Sequence, residues 1–226
     1  MFVGHVAAGM ALKTVGKEIN LGLLVFAALF PDLLLWIFVL LGFEQVIAPP
    51  DFARHPYLTF VFPYSHSLVA TAAWSLAAAV IAWRWARRKE TALVGAPLAL
   101  GLAVASHFVL DAAVHVRDLP LDRESSVYFG TGLWEKSMGT ALALELGLVA
   151  GAAAAYERVV GLRGSRLWTL LLTLLLCSVV TVAGATLQKT PPPPAAAAWS
   201  GLAAIAIVSG ILGIVDRRPR SGASPA

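Results

Sequence analysis

The sequence predicts an all-α fold, a polytopic membrane helix bundle of about six transmembrane helices plus a short N-terminal half-helix. Three observations carry that expectation. Of the 226 residues, 58% are hydrophobic and 13% charged, with a mean hydropathy of +0.77; soluble domains carry about 25% charged residues. The apolar excess gathers into blocks of about 20 residues, the length that crosses a hydrocarbon core about 30 Å thick at 1.5 Å rise per residue. Lys and Arg recur in alternate connections between those blocks, as the positive-inside rule requires.

The first element, residues 1–15, is too short to span and ends at Lys13 and Lys17, so it reads as a half-helix packed into the bundle. A secretory signal places its positive charge before the apolar stretch, so this segment is expected to be retained. Six spans follow, at 20–42, 64–83, 91–114, 138–156, 166–187 and 198–215, the first interrupted by Pro31-Asp32. Lys13 and Lys17, Arg84 to Lys89, Arg158 to Arg166 and Arg217 to Arg220 mark cytoplasmic connections. The connections at 43–63, 115–137 and 188–197 then face outward, the last with a Pro191 to Pro194 run that favours an extended polyproline II link. Residues 1–216 form one integral membrane domain, and 217–226, rich in Arg, Ser, Gly and Pro, read as a disordered cytoplasmic tail. A single cysteine, Cys177, excludes an intramolecular disulfide or a thiolate metal cluster. The net charge of +4 resides at helix ends, so it reports topology and not a nucleic-acid partner.

His5, Asp32, His66, His107, Asp111, His115 and Glu145 lie inside or at the edges of the apolar segments. Ionised side chains at membrane depth are costly, face the bundle interior and find partners there. In SHFVLDAAVH, His107, Asp111 and His115 stand four residues apart, which aligns them along one helix face. Such a stripe is either a hydrogen-bonded seam between helices or a set of cation ligands; seams more commonly use Ser, Thr, Asn or Gln. Asp118 extends the stripe as a second-layer partner or a loop charge. At 1.5 Å per residue, Asp32 lies about 18 Å from Asn20, Glu145 about 18 Å from Glu157, His107 about 24 Å from Thr91 and His5 about 18 Å from Lys17, with His66 somewhat higher. Separate segments thus bring ligand-type side chains to one layer, expected in the outer half of the bilayer. Read alone, His5 is a buried histidine, Asp32 a helix N-cap after Pro31, and His66 a wet helix start. His55 reads as a solvated loop residue, and Arg54, Arg117, Arg123 and Lys136 as loop charges within reach of an anionic substrate.

In chain order, GH near the start, FPD, YSHS, and SHFVLD followed by a histidine resemble the bacterial membrane-bound metal-dependent hydrolase family, over about residues 1–145. The ligand order is also similar to that of the zinc-dependent phospholipase C and P1-type nuclease group. The resemblance implies a multi-pass protein of the bacterial inner membrane, with His5, Asp32, His66, His107 and Asp111 as metal ligands and His115 and Glu145 as further candidates. The soluble enzymes carry a histidine four residues before the terminal Glu, where this chain has Ala141, which implies a smaller cluster of one or two ions. Their N-terminal amine ligand is not carried over to Met1.

Imidazole and carboxylate ligands without thiolate suit Zn²⁺, with Mn²⁺ or Fe²⁺ also compatible. Asp32 and Asp111 are the candidate catalytic residues, as bridging ligand or general base. A site in the outer half of the bilayer is placed for a phosphoester of a lipid or lipid-linked substrate. The alternative is a proton- or metal-ion-coupled transporter using the same residues. A through-path needs polar groups on both sides of the midplane, and AAAVIAW, ALVGAPLAL and VAGAAAAY leave the cytoplasmic half apolar. A third reading makes the chain a scaffold with a structural metal.

Overall fold

The computed structural model describes residues 1–88 and 95–217. The tail expected at 217–226 lies outside the described residues apart from Arg217, as do Lys89 and the start of the span placed at 91. The chain opens with α1, Phe2–Ala11, extended by a 3-10 turn at Leu12–Thr14, which is the expected half-helix. Next come α2, Leu21–Ala28, and α3, Phe30–Leu41. The long helices are α4 (Leu68–Arg88), α5 (Ala96–Val114), α7 (Met138–Val160), α8 (Ser165–Leu187) and α9 (Pro194–Val215), with α6, Leu133–Lys136, a single turn before α7. Among the described residues five helices are long and apolar enough to cross a membrane, and α2 with α3 makes a sixth span if the pair is counted as one.

That sixth span is not the continuous segment 20–42: α2 and α3 meet at an angle of 53°. Pro31 lacks an amide proton and cannot continue the hydrogen-bond ladder, so the helix breaks and restarts. Leu29 takes the cap position of α3, which puts Asp32 inside its first turn and not at its N-cap. Two other boundaries differ from expectation. Helix α4 starts at Leu68, after His66. Helix α9 begins at Pro194, whose fixed φ suits the first helical turn, so the polyproline run gives its last residue to the helix.

The connections at 43–63 and 115–137 carry short hairpins that the sequence did not signal. Strands β1 (Gln45–Ile47) and β2 (Thr59–Val61) pair antiparallel, as do β3 (Leu119–Pro120) and β4 (Tyr128–Phe129). Phe60 and Phe62 of the first connection pack in one cluster with Leu119 and Phe129 of the second, so the two meet at one end of the bundle. The basic connections gather at the other end. There Lys13, which the sequence offers as a topology signal, is buried: its ammonium donates to Asp216 at 2.5 Å and to Ile19 O at 2.6 Å, while Tyr156 Oη donates to Asp216 at 2.8 Å.

Between these ends lies an apolar core of Val3, Val6, Met10, Leu21, Val25, Val208 and Leu212. Small residues let the helices approach closely enough to seal it. A Cβ on Gly9 would fall 2.7 Å from Val25 Cα, and one on Gly22 would fall 2.7 Å from Gly213 Cα. Helices α1 and α2 therefore sit in backbone contact, as do α2 and α9. The outer faces stay apolar: Leu172, Leu175, Leu176, Val179 and Val180 of α8 are exposed on the bundle, as lipid contact demands.

Candidate metal centre

Three helices and a turn meet just inside the hairpin end. Helix α1 supplies His5, the first turn of α3 supplies Asp32, the turn before α4 supplies His66, and α5 supplies His107 and Asp111. The four-residue step on α5 does what helix geometry requires, leaving His107 Nε2 3.2 Å from Asp111 Oδ2. His5 Nε2 stands 3.0 Å from Asp111 Oδ1, with its ring stacked on His107 at 3.7 Å between centroids. His66 Nε2 is 3.5 Å from Asp32 Oδ1 and 3.6 Å from Asp111 Oδ2, and His107 Nε2 is 3.6 Å from Asp32 Oδ1. Two sets of ligand atoms, His5/Asp32/His107 and His66/His107/Asp111, each lie within 4.8 Å of one another. His107 belongs to both.

The shortest contact in the centre is the most informative. His66 Nε2 and His107 Nε2 are 2.9 Å apart. His107 Nδ1 lies 2.8 Å from the carbonyl of Ala28, which only accepts, so the ring proton is on Nδ1 and Nε2 carries a lone pair. The break after α2 leaves a last-turn carbonyl free for this bond. His66 Nδ1 lies 2.7 Å from Ser65 Oγ, which in turn lies 2.6 Å from Glu44 Oε2. With the carboxylate taking the hydroxyl proton, His66 Nδ1 donates to Ser65 and its Nε2 is likewise a lone pair. Two lone pairs face each other at hydrogen-bond distance beside two carboxylates. The arrangement calls for a cation between them, a proton or a metal ion.

The donor set fits a metal. Two atoms bound to one ion at about 2.1 Å stand about 3.0 Å apart at a right angle and about 3.4 Å apart at the tetrahedral angle; the contacts above run from 2.9 to 3.6 Å. Among the described residues His5 Nδ1 is buried with no hydrogen-bond partner, which natural interiors rarely allow. The rings are held from outside by Phe62, stacked on His66 at 4.6 Å. Asp32 is the open member, its side chain 19% exposed where that of Asp111 is 2%.

The remaining candidates sit at the rim. His115 is the C-cap of α5 and ends the stripe; its Nε2 lies 3.5 Å from Asp111 Oδ1 and its Nδ1 3.1 Å from Asp118, so Asp118 acts on the ring from behind. Glu145 is buried on α7 but belongs to neither ligand set. It accepts from Gly4 N–H at 3.4 Å, where a carboxylate complements the N-terminus of α1. The amino group of Met1 stands 3.4 Å from Asp111 Oδ1, a proximity that only the packing of α1 against α5 creates.

Glu44 and Ser65 also escaped the sequence reading. The one signal for Glu44 is an acidic residue closing the apolar run of α3; for Ala28, whose backbone does the work, there is none. Among the loop cations, Arg123 lies over the Tyr64 ring at 5.5 Å and Lys136 donates to Thr131 O at 2.6 Å. His55, in the exposed loop, bonds Asp51 at 2.7 Å.

Comparison of the chain with family models, with curated proteins and with solved structures finds no match. The resemblance carried by GH, FPD, YSHS and SHFVLD therefore rests on those residues alone.

Proposed function

We propose that this chain is a membrane-embedded metal-dependent hydrolase, with one or two zinc-type ions held by His5, Asp32, His66, His107 and Asp111, acting on a phosphoester of a lipid or lipid-linked substrate. The observation that carries the reading is the pair of facing imidazole nitrogens, 2.9 Å apart, flanked by Asp32 and Asp111. Zinc bound among such ligands acts as a Lewis acid on a phosphoryl oxygen and acidifies water to a pKa near 7. In the hydrolysis, water adds to phosphorus, the bond to the alcohol oxygen breaks, and the proton lost by water passes to the leaving oxygen. Asp32, partly open to the outside, is the carboxylate positioned to accept that proton. Asp111, closed in by four histidines and the Met1 amine, orients and charges the site.

A lipid substrate is supported by the surroundings. Next to His66 in the chain, Ser67 and Tyr64 line an open cavity of about 640 Å³ with Phe38, Phe43, Asp122 and Arg123, apolar on one side with a cation and a carboxylate at its edge; the proposed ligands themselves do not line it. Metal identity follows the donors: zinc fits, and Mn²⁺ or Fe²⁺ would also accept imidazole and carboxylate.

The transporter alternative gains one observation, since the Lys13–Asp216–Tyr156 node buries polar groups inside the second end of the bundle. Eight residue steps along α1 and its 3-10 extension separate His5 from Lys13, about 12 Å, and Val6 and Met10 between them are fully buried. That sealed layer favours a one-sided site. Asp111→Asn decides between the readings, being nearly isosteric. Lipid extracts from cells overproducing wild type should show a changed head-group population that the variant lacks. Matching extracts, together with Asp111-dependent metal or proton flux into reconstituted vesicles, would overturn the hydrolase in favour of the transporter.

A further inference from the structure

We infer that Glu44, in the connection after α3, is a positioning residue that selects the tautomer of His66 through the Ser65 hydroxyl. Its consequence for metal binding rests on the metal-centre reading above; the tautomer itself does not.

Glu44 sits at the aqueous end of the bundle yet is only 2% exposed, and a carboxylate is buried at a cost unless donors surround it. Three do. Tyr64 N–H and Ser65 N–H donate to Oε1 at 2.8 and 2.9 Å, and Ser65 Oγ–H donates to Oε2 at 2.6 Å. The hairpin makes the meeting possible: the pairing of Gln45 with Val61 sets the residue before β1 beside the residues that follow β2. Two backbone amides would suffice to hold the loop. The third bond does something different.

A serine hydroxyl has one proton and two partners here. Given to Glu44, it leaves Oγ as acceptor for His66 Nδ1–H, and Nε2 points its lone pair at His107 and the aspartates. Given to His66 Nδ1, it would force the ring proton onto Nε2, 2.9 Å from His107 Nε2, where it would block ligation. A carboxylate is the stronger acceptor because the bond to it is charge-assisted. Glu44 thus sets the direction of the whole chain of bonds. Phe62, stacked on the imidazole, prevents the ring from escaping by rotation. Two further histidines are served in comparable ways, His107 by the Ala28 carbonyl and His115 by Asp118; His66 differs in being set through an intervening hydroxyl, whose direction one substitution at Glu44 reverses.

Glu44→Gln is that substitution. The amide oxygen can still accept from the two backbone N–H groups while its NH₂ donates to Ser65 Oγ, so the hydroxyl must turn its proton to His66 Nδ1. The test is side-chain ¹⁵N NMR of histidine-labelled, metal-free protein in detergent, above the imidazole titration range. Wild-type His66 should be protonated on Nδ1 and the Glu44→Gln protein on Nε2; the same tautomer in both overturns the inference. Ser65→Ala, which keeps the loop amides on Glu44, guards against a misfolded first variant: it should abolish the single-tautomer signal, and an unchanged Nδ1–H would also overturn the inference. Zinc affinity, measured by chelator competition, should fall about 10- to 100-fold in both variants, as loss of an outer-shell partner does. A tautomer switch in a protein whose wild type binds no Zn²⁺ would uphold the role of Glu44 and sink the metal centre.

Discussion

Replacing His107 and Asp111 together by alanine removes the ligands that the centre shares most widely, and the size of the effect can be worked out beforehand. His107 belongs to both sets of ligand atoms, and Asp111 contacts His5, His66, His107 and His115 at 3.0 to 3.6 Å. Four-ligand zinc sites bind with about 10 to 16 kcal/mol at neutral pH, or about 3 kcal/mol per ligand, equivalent to about 150-fold. Two ligands lost independently would cost about 10⁴-fold, and because neighbours couple, three to four orders of magnitude is the expected range. Wild-type protein purified in detergent without chelator should carry about one or two transition-metal ions per chain by elemental analysis, matching the mono- or dinuclear sites that such chemistry uses. The double variant should carry almost none, and competition with a chelator should return the affinity loss. Circular dichroism guards against unfolding, since the His5 ring loses its stacking partner. Wild-type protein that emerges metal-free and binds added Zn²⁺ no better than the double variant would refute the reasoning.

Further outcomes follow from other parts of the molecule. With Cys177 replaced, a cysteine at Ser125 should react with an impermeant thiol reagent in intact cells and one at Arg87 should not; the reverse pattern would invert the orientation drawn from the Lys and Arg distribution. Asp216→Ala should lower stability in detergent by about 3 to 5 kcal/mol, because it leaves the Lys13 ammonium buried with a single carbonyl partner; an unchanged thermal midpoint would show that this pair is not closed to water. In the exposed loop, the hydrogen bond from His55 holds the Asp51 carboxyl below the ordinary aspartate range. A lowered acid constant contributes stability above the ordinary aspartate range, lost as pH falls through the lowered value. Carboxyl ¹³C titration should place the Asp51 midpoint below that of a free aspartate, and His55→Ala should raise it toward the ordinary value.

Which parts of the site were legible in the sequence depended on whether local geometry created them. The pairing of His107 with Asp111 follows from four-residue spacing on a helix, and counting residues along each span brings Asp32 and His5 to the same layer, because rise per residue is constant in any α-helix. The half-helix at the start and the number of apolar blocks follow from the thickness of a bilayer. His115 shows how far the same argument reaches: it closes α5 as the C-cap, and its Nε2 still stands 3.5 Å from Asp111 Oδ1, as the spacing predicts.

What the tertiary structure alone decided are contacts between residues distant in the chain and bonds made by the backbone. Pro31 marks a break, yet the 53° turn that offers the Ala28 carbonyl to His107 depends on how α2 and α3 pack against α5 and α9. Glu44 and Ser65 meet through hairpin strands of three residues each, too short to leave an alternating pattern. Lys13 reads as a topology charge until Asp216, 203 residues away, is found against it, and the bond from the Gly4 amide to Glu145 exists only because α1 packs beside α7. Composition and periodicity report the environment that each segment must enter, water or lipid. Which side chain meets which is set by the packing of faces that look alike in sequence, and the protonation of His66 and His107 by partners that no spacing rule connects to them.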